Sequence, residues 1–179
     1  MGSCTEYCVK KVVVFGAVLL AMVALVGAAN PNMGIQQALK DRGYYHGTVD
    51  GIMGPGTKSA LRLAQMEPLL AKFIQAEAGD QPHEVGVAIG AVAVNRLKHE
   101  NFPNTLAGVI FQTDAFISVR DGRMKMAPTE NALAAAAAAL AGEDPTEGCL
   151  YFYNPGTENR KHMLDREPKN SIGRYRFCT

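Results

Sequence analysis

The sequence predicts a mostly helical α+β protein with a small antiparallel sheet, preceded by a small helical N-terminal module. That expectation rests on capped stretches whose apolar residues recur at helical spacing, on short aromatic strands near the C-terminus, and on length. The chain has 179 residues and a formal net charge of +1. Without its N-terminal segment about 150 residues remain, enough for one sizeable core and a small appendage. Near-neutral charge, with no run of Lys and Arg interleaved with aromatics, excludes a general nucleic-acid binder, which needs a basic face.

The first element is an export segment, residues 1–29. Lys10 and Lys11 precede an uninterrupted apolar stretch from Val12 to Gly27, small residues follow at Ala28 and Ala29, and Asn30-Pro31 breaks the pattern. Positive flank, apolar core and small-residue exit read as a secretory signal. The stretch is nearly long enough to span a bilayer, so an uncleaved N-terminal membrane anchor is the alternative. Cys4 and Cys8 leave with a cleaved signal, whereas Cys149 and Cys178 remain in a compartment that permits a disulfide.

A short module spans 34–65. Ile35 to Arg42 has helical patterning and stops at Gly43; Tyr44-Tyr45-His46-Gly47 and Asp50-Gly51 are turn chemistry. Gly54-Pro55-Gly56 leads to Thr57, an N-cap for a helix from Lys58 to Gln65. About 32 residues cannot bury enough surface to stand alone, so the module is expected to lean on a larger domain.

That domain spans 68–179. Its first helix ends at Gly79, and Pro82 opens the next, His83 to His99, with Glu84 near the start and Lys98 near the end. Val85 to Val94 alone could be a buried strand, but the total length and the polar exit Asn95-Arg96-Leu97-Lys98 favour a central buried helix. Gly86 and Gly90 would admit a close neighbour. A turn at Asn101–Thr105 precedes a short helix from Leu106 to Phe111; Phe116 to Val119 reads as extended, closed by a turn at Arg120-Asp121-Gly122. Thr129 caps a helix from Glu130 to Ala141, an alanine-rich packing element that stops at Gly142. Cys149 to Tyr153 and Arg174 to Cys178 form strands around the loop from Asn154 to Asn170. Antiparallel pairing would bring Cys149 and Cys178 together, permitting a bridge.

Glu77 is the misplaced residue. Helical spacing puts it on one face with Leu70, Phe73 and Ile74, where an apolar side chain is expected. A carboxyl there is partly desolvated, which raises its pKa and fits it for general acid work. The plainer alternative is that Glu77, one turn from the helix end, bends out to water. The histidines, His46, His83, His99 and His162, lack metal-ligand spacing, so neither a metal nor another cofactor is expected.

Several ordered blocks give the second domain a resemblance. They are Ala76-Glu77-Ala78, Val92-Ala93-Val94-Asn95-Arg96, Phe102-Pro103-Asn104-Thr105 with Gly108-Val109-Ile110-Phe111-Gln112, Phe116 with Asp121-Gly122, Asp144-Pro145-Thr146, Leu150-Tyr151-Phe152-Tyr153-Asn154-Pro155 and Ser171-Ile172-Gly173. In this order they resemble the spore-cortex-lytic (SleB-type) cell wall hydrolase family from Leu69 to Phe177. The module, through Gly43-Tyr44-Tyr45, Val49-Asp50-Gly51-Ile52 and Gly54-Pro55 with Thr57, is similar to a truncated peptidoglycan-binding domain whose usual third helix is missing. It would bind sugar or serve only as a structural tether.

The resemblance implies a lysozyme-like catalytic domain that cleaves peptidoglycan glycan strands, typically of spore cortex during germination. Peptidoglycan is then the partner, a regulatory protein stays open, and the place of action is the cell wall or cortex. Glu77 falls on the family's catalytic acid. The implied mechanism is lytic transglycosylation, in which one glutamate serves as acid and then as base. The alternatives are an N-acetylmuramoyl-L-alanine amidase and a non-catalytic wall-binding or spore-associated protein.

Substrate contacts follow from sugar chemistry. The chain has no tryptophan, so aromatic platforms fall to Tyr and Phe. Tyr151 and Tyr153 share one strand face, Phe116 lies in a matched block, Asn95 could bond to substrate or cap carbonyls, and Tyr175 stands where the family often has histidine. Each is equally a candidate for core or capping use. The chain also departs from the family at Gly79-Asp80-Gln81, where Arg-Gly-Glu is common, and at His162, where tryptophan is common.

Overall fold

In the computed structural model, which describes residues 30–113, 115–158 and 160–179, the chain divides into two units between Arg62 and Leu63. The expected export segment, 1–29, lies outside the described residues, and no described helix is long and apolar enough to cross a membrane.

The first unit is organised by a buried amide. Helix α1, Pro31–Asp41, starts at Asn30, whose side chain accepts from the Asn32 amide at 3.1 Å. Gln36 on α1 is fully buried; its Nε2 reaches Asp50 Oδ1 at 2.8 Å and Thr57 Oγ1 at 3.1 Å, and its Oε1 accepts from Gly51 N at 2.7 Å. Gly51 has φ 76°, a conformation that costs glycine little. The Asp50-Gly51 turn is therefore pinned to α1, with Asn32 Nδ2 adding a hydrogen bond to Gly51 O at 3.0 Å.

Helix α2 runs without interruption from Pro55 to Ala78 and includes Pro68. This corrects the expected helix end at Gln65 and the N-cap role of Thr57. Pro55, with its fixed φ, opens the helix, and Thr57 lies in the first turn with its hydroxyl donating to Ile52 O at 3.2 Å. Pro68 forfeits a helical hydrogen bond at a cost of about 3 kcal/mol. Just beyond it Leu70, Phe73 and Ile74 are buried, each contributing about 1.5–3 kcal/mol, which offsets that cost.

Helix α3, His83–Lys98, is buried at every position from Val85 to Val94. A helix apolar on all sides belongs at the centre of a domain. Helix α6, Glu130–Ala141, packs along it: a Cβ placed on Gly90 would stand 3.0 Å from the Ala139 Cβ, and one on Gly86 would stand 3.1 Å from that of Ala135. The glycines and the alanine run thus form one close seam. The α6 ends follow their sequence signals, with Thr129 accepting from Ala132 N at 3.3 Å and Gly142 in the left-handed region at φ 109°.

Between α3 and α6 lie α4, Leu106–Ile110, capped by Thr105, then α5, Ile117–Arg120, and a 3-10 turn, Arg123–Lys125. The expectation of an extended Phe116–Val119 is corrected, since α5 is a helical turn. A run of four residues with β-branched members is too short for its period to discriminate. Phe116 packs edge-on against Phe73, centroids 4.5 Å apart, and Ser118 is fully buried.

The C-terminal sheet has three strands: β1, Tyr151–Tyr153; β2, Asn170–Ile172; and β3, Tyr175–Cys178. Helix α7, Lys161–Leu164, lies between β1 and β2 in sequence. β3 pairs antiparallel with both neighbours, setting Phe177 opposite Phe152 and Arg176 opposite Ser171. β2 begins where the expected loop from Asn154 to Asn170 ends, in a stretch where the sequence predicts no strand. The bridge between Cys149 and Cys178 is also corrected, because both thiols are free and buried. The register sets Cys178 opposite Tyr151, so Cys149 runs past its expected partner.

Candidate active site

The apolar face of α2 ends on Glu77. Leu70 and Phe73 are fully buried and Ile74 is 2% exposed, so the stripe that carries Glu77 does face the core. Glu77 is half-buried, and its Oε1 is fully buried without a hydrogen-bond partner. Burial is the main force on its carboxyl and raises the pKa above the ordinary 4.5. Ser118 and the positive charge of Arg123 pull the other way, and the negative charge of Asp121 adds to the rise. Ser118 Oγ falls short of full hydrogen-bond geometry and is itself a buried polar atom without a partner.

An open cleft of about 370 Å³ lies over the end of α2. Gln75, Ala76, Glu77 and Gly79 form one wall, and Asp80, Arg123, Met126 and Arg174 complete it. Asp80 and Arg174 form an exposed ion pair at 2.9 Å.

The last turn of α2 is held on all its free carbonyls, which a helix end otherwise leaves without intrahelical partners. Gln75 O accepts from Gly79 N at 3.1 Å, and Ala78 O from Gln81 N at 2.9 Å. Arg123 Nη1 donates to Ala76 O at 2.7 Å, and the Tyr175 hydroxyl donates to Glu77 O at 2.7 Å. The Gln75 side chain ties the same turn to the start of α6, accepting from Thr129 N at 3.0 Å and Thr129 Oγ1 at 2.9 Å.

Apart from Tyr175, whose hydroxyl meets the Glu77 carbonyl, the other sequence candidates lie elsewhere. Asn95 Nδ2 donates to Asp144 Oδ2 at 2.9 Å and to Cys149 O at 3.2 Å, pinning the loop before β1. It borders a separate hollow of about 220 Å³ with Lys98, His99, Gly148 and Leu150. Phe116 is 7% exposed, against Phe73 and stacked on Phe152 at 5.9 Å. Tyr153, also 7% exposed, packs with Met163 and Cys178, with Tyr151 against that cluster. The Tyr151 ring lies under the Arg166 guanidinium at 3.6 Å. Tyr175 is buried, its ring edge-on to Phe152. Among the described residues, none of these five lines the cleft beside Glu77.

Sequence reasoning missed Ser118, Arg123, Met126 and Arg174. For Ser118 a signal was available, a polar residue inside an apolar run. Arg123 follows the Asp121-Gly122 turn, but the carbonyl it meets is set only by the tertiary fold.

Comparison with known proteins gives this geometry a setting. A family model described as Cell Wall Hydrolase matches residues 80–178, beginning just past Glu77, and a peptidoglycan binding domain model matches 34–67. A spore cortex-lytic enzyme of Bacillus subtilis is 44% identical over 110 residues, which are 62% of this chain and 36% of that relative. The chain thus spans little more than a third of that relative's length. Among solved structures, the catalytic domain of the Bacillus cereus SleB protein is 37% identical with a TM-score of 0.60, covering 65% of this chain and 91% of that one. The catalytic domain of a germination-specific lytic transglycosylase SleB from Bacillus anthracis has the same identity and score, covering 63% and 93%. The expected lysozyme-like architecture, a helical body beside a small antiparallel sheet, stands with these matches. With more than half of its length matched, the chain belongs to the cell wall hydrolase family.

Proposed function

We propose that this protein is a peptidoglycan glycan-strand lyase of the lytic transglycosylase type, acting outside the cytoplasmic membrane on cell wall or spore cortex, with Glu77 as its acid and then its base. One observation carries the reading: a carboxyl whose Oε1 is buried and unpartnered lies at the edge of an open cleft and is held toward its protonated form. Protonated Glu77 gives its proton to the glycosidic oxygen as the bond from the muramic acid anomeric carbon to that oxygen breaks. The resulting carboxylate then takes the proton of the same sugar's C6 hydroxyl. That oxygen bonds to the anomeric carbon, an anhydro ring closes, and no water is consumed.

A paired-carboxylate glycosidase needs a second acidic group across the scissile bond. Asp80, the other carboxyl on the cleft, is exposed and engaged with Arg174, which favours the single-acid route. Met126, 51% exposed on the cleft wall, supplies an apolar surface for a sugar face in a chain without tryptophan. The names of the relatives, spore cortex-lytic enzymes and a germination-specific lytic transglycosylase, support cortex as substrate and germination as occasion. In this reading residues 1–29 direct export, 34–65 tether the enzyme to peptidoglycan, and 68–179 cut it.

Mass spectrometry of purified cortex peptidoglycan after digestion tests the proposal. Anhydro-muramic ends are expected. Reducing ends would make the protein a hydrolase, free stem peptides an amidase, and unchanged material a binding protein. Glu77→Gln is expected to release no fragments while still sedimenting with the wall.

A further inference from the structure

Resting on the reading of Glu77 as the acid, we propose that Tyr175 and Arg123 are positioning residues, which from separate elements grip the last turn of α2 and hold the Glu77 carboxyl half-buried beside the cleft. A terminal helical turn frays readily, because its carbonyls have no partners within the helix. Here Ala76 O is taken by Arg123 and Glu77 O by Tyr175, each at 2.7 Å. These are the carbonyls of the acid residue itself and of the residue before it.

Both donors are themselves fixed. Asp121 accepts from Arg123 Nε at 2.8 Å through Oδ2 and from Arg123 N at 3.1 Å through Oδ1. Tyr175 is anchored in β3, 5% exposed, with the Phe152 ring edge-on at 5.9 Å and the Arg174 guanidinium 5.6 Å from its own centroid. Burial raises its phenol pKa, so the hydroxyl keeps its proton and stays a donor at working pH. Tyr175 is not among the residues lining the cleft. Its part is to keep the turn, and with it the carboxyl, from swinging into water.

The grip and the acid strength of Glu77 are therefore linked. The groups acting on that carboxyl are Ser118 from α5 and Arg123 and Asp121 from the turn that follows; Tyr175 from β3 feels its charge, which raises the phenol pKa further, and Asp80 and Arg174 line the cleft. A loosened turn leaves these charges in place but lets water reach the carboxyl, which lowers its pKa toward 4.5.

Tyr175→Phe deletes the hydroxyl and keeps the ring. We expect kcat to fall about 10-fold with KM little changed, within the ~10²-fold that a misplacement of ~1 Å costs. The alkaline limb of the kcat/KM profile should move to lower pH. In hydrogen exchange, the amides of Gly79 and Gln81 should open faster in Tyr175→Phe and in Arg123→Gln, with α6 unaffected. Wild-type kcat, pH limb and exchange in Tyr175→Phe would overturn the proposal. So would faster exchange throughout the domain, which marks a merely structural role. Glu77→Gln run in parallel separates the failures: if it stays active, the acid assignment falls first, and if it is dead while Tyr175→Phe is normal, only the positioning role falls.

Discussion

Glu77 and Arg96 each sit among buried residues near the C-terminal end of a helix, and among the described residues neither is in an ion pair. Burial drives both toward their neutral forms, raising the Glu77 carboxyl and lowering the Arg96 guanidinium to about 10. Their surroundings differ. Arg96 Nε donates to Leu150 O at 2.6 Å, and its guanidinium lies over the rings of Phe116, Phe102 and Tyr151 at 4.8, 5.0 and 5.2 Å. Glu77 Oε1 has no hydrogen-bond partner, and its residue opens on a cleft. Burial of a charge therefore does not tell the two apart; unmet hydrogen-bonding capacity beside a cleft does.

The largest expected effect breaks the comparison on the Glu77 side. Glu77→Gln should lower kcat by about 10³-fold, within the range that a positioned acid contributes. A loss smaller than about 10-fold, measured by release of soluble glycan fragments, would show that the proton comes from elsewhere. Arg96→Met tests the other side. It removes a charged hydrogen bond and the contacts with three rings, partly offset by relief of desolvation, for a net loss of about 2 kcal/mol. Urea denaturation should register that loss while kcat per folded molecule holds. A variant as stable as wild type but inactive would make Arg96 part of the site and end the contrast.

A smaller effect lies in the pH dependence of stability. Because the folded pKa of Glu77 is raised above 4.5, the folded state binds the proton more tightly than the unfolded chain. That contribution is full below the unfolded value and is lost as pH rises through the folded one. Glu77→Gln lacks this decline, so it should melt above wild type at neutral pH, and the gap should close near about pH 4. Arg96, at about 10, keeps its charge across that window, so Arg96→Met should lose the same stability at both ends. A gap for Glu77→Gln that ignores pH would mean that the carboxyl is solvated.

Glu77 was legible because a charge on an apolar stripe violates a local periodic rule, and α6 because Thr129 and Gly142 are local signals flanking a strong helix former. What the sequence hid is tertiary. Ser118 reaches Glu77 only because Phe116–Val119 belongs to a helical turn rather than a strand, and four residues are too few to decide that. Arg123 and Tyr175 act through backbone carbonyls distant in sequence, and no side-chain pattern advertises a carbonyl in need of a donor. The aromatic candidates were drawn from the strands because sugars favour rings. The core needed those rings as well: Phe116, Tyr153 and Tyr175 are all buried.

The smallest expected effect separates charge from burial at Glu77. The Asp121 side chain is exposed, and its negative charge raises the Glu77 pKa while it also orients Arg123. Asp121→Asn removes the charge but keeps an oxygen that can accept from the Arg123 amide. With the anion gone, the positive charge of Arg123 acts on Glu77 without its counterweight, so the carboxyl should ionise more readily. The alkaline limb of kcat/KM should then move slightly to lower pH, and the displacement should shrink in high salt as the exposed charges are screened. A limb that stays in place at low salt would assign the raised pKa to burial alone. The difference between Glu77 and Arg96 would then rest on access and unmet bonding, with no part played by the neighbouring charges.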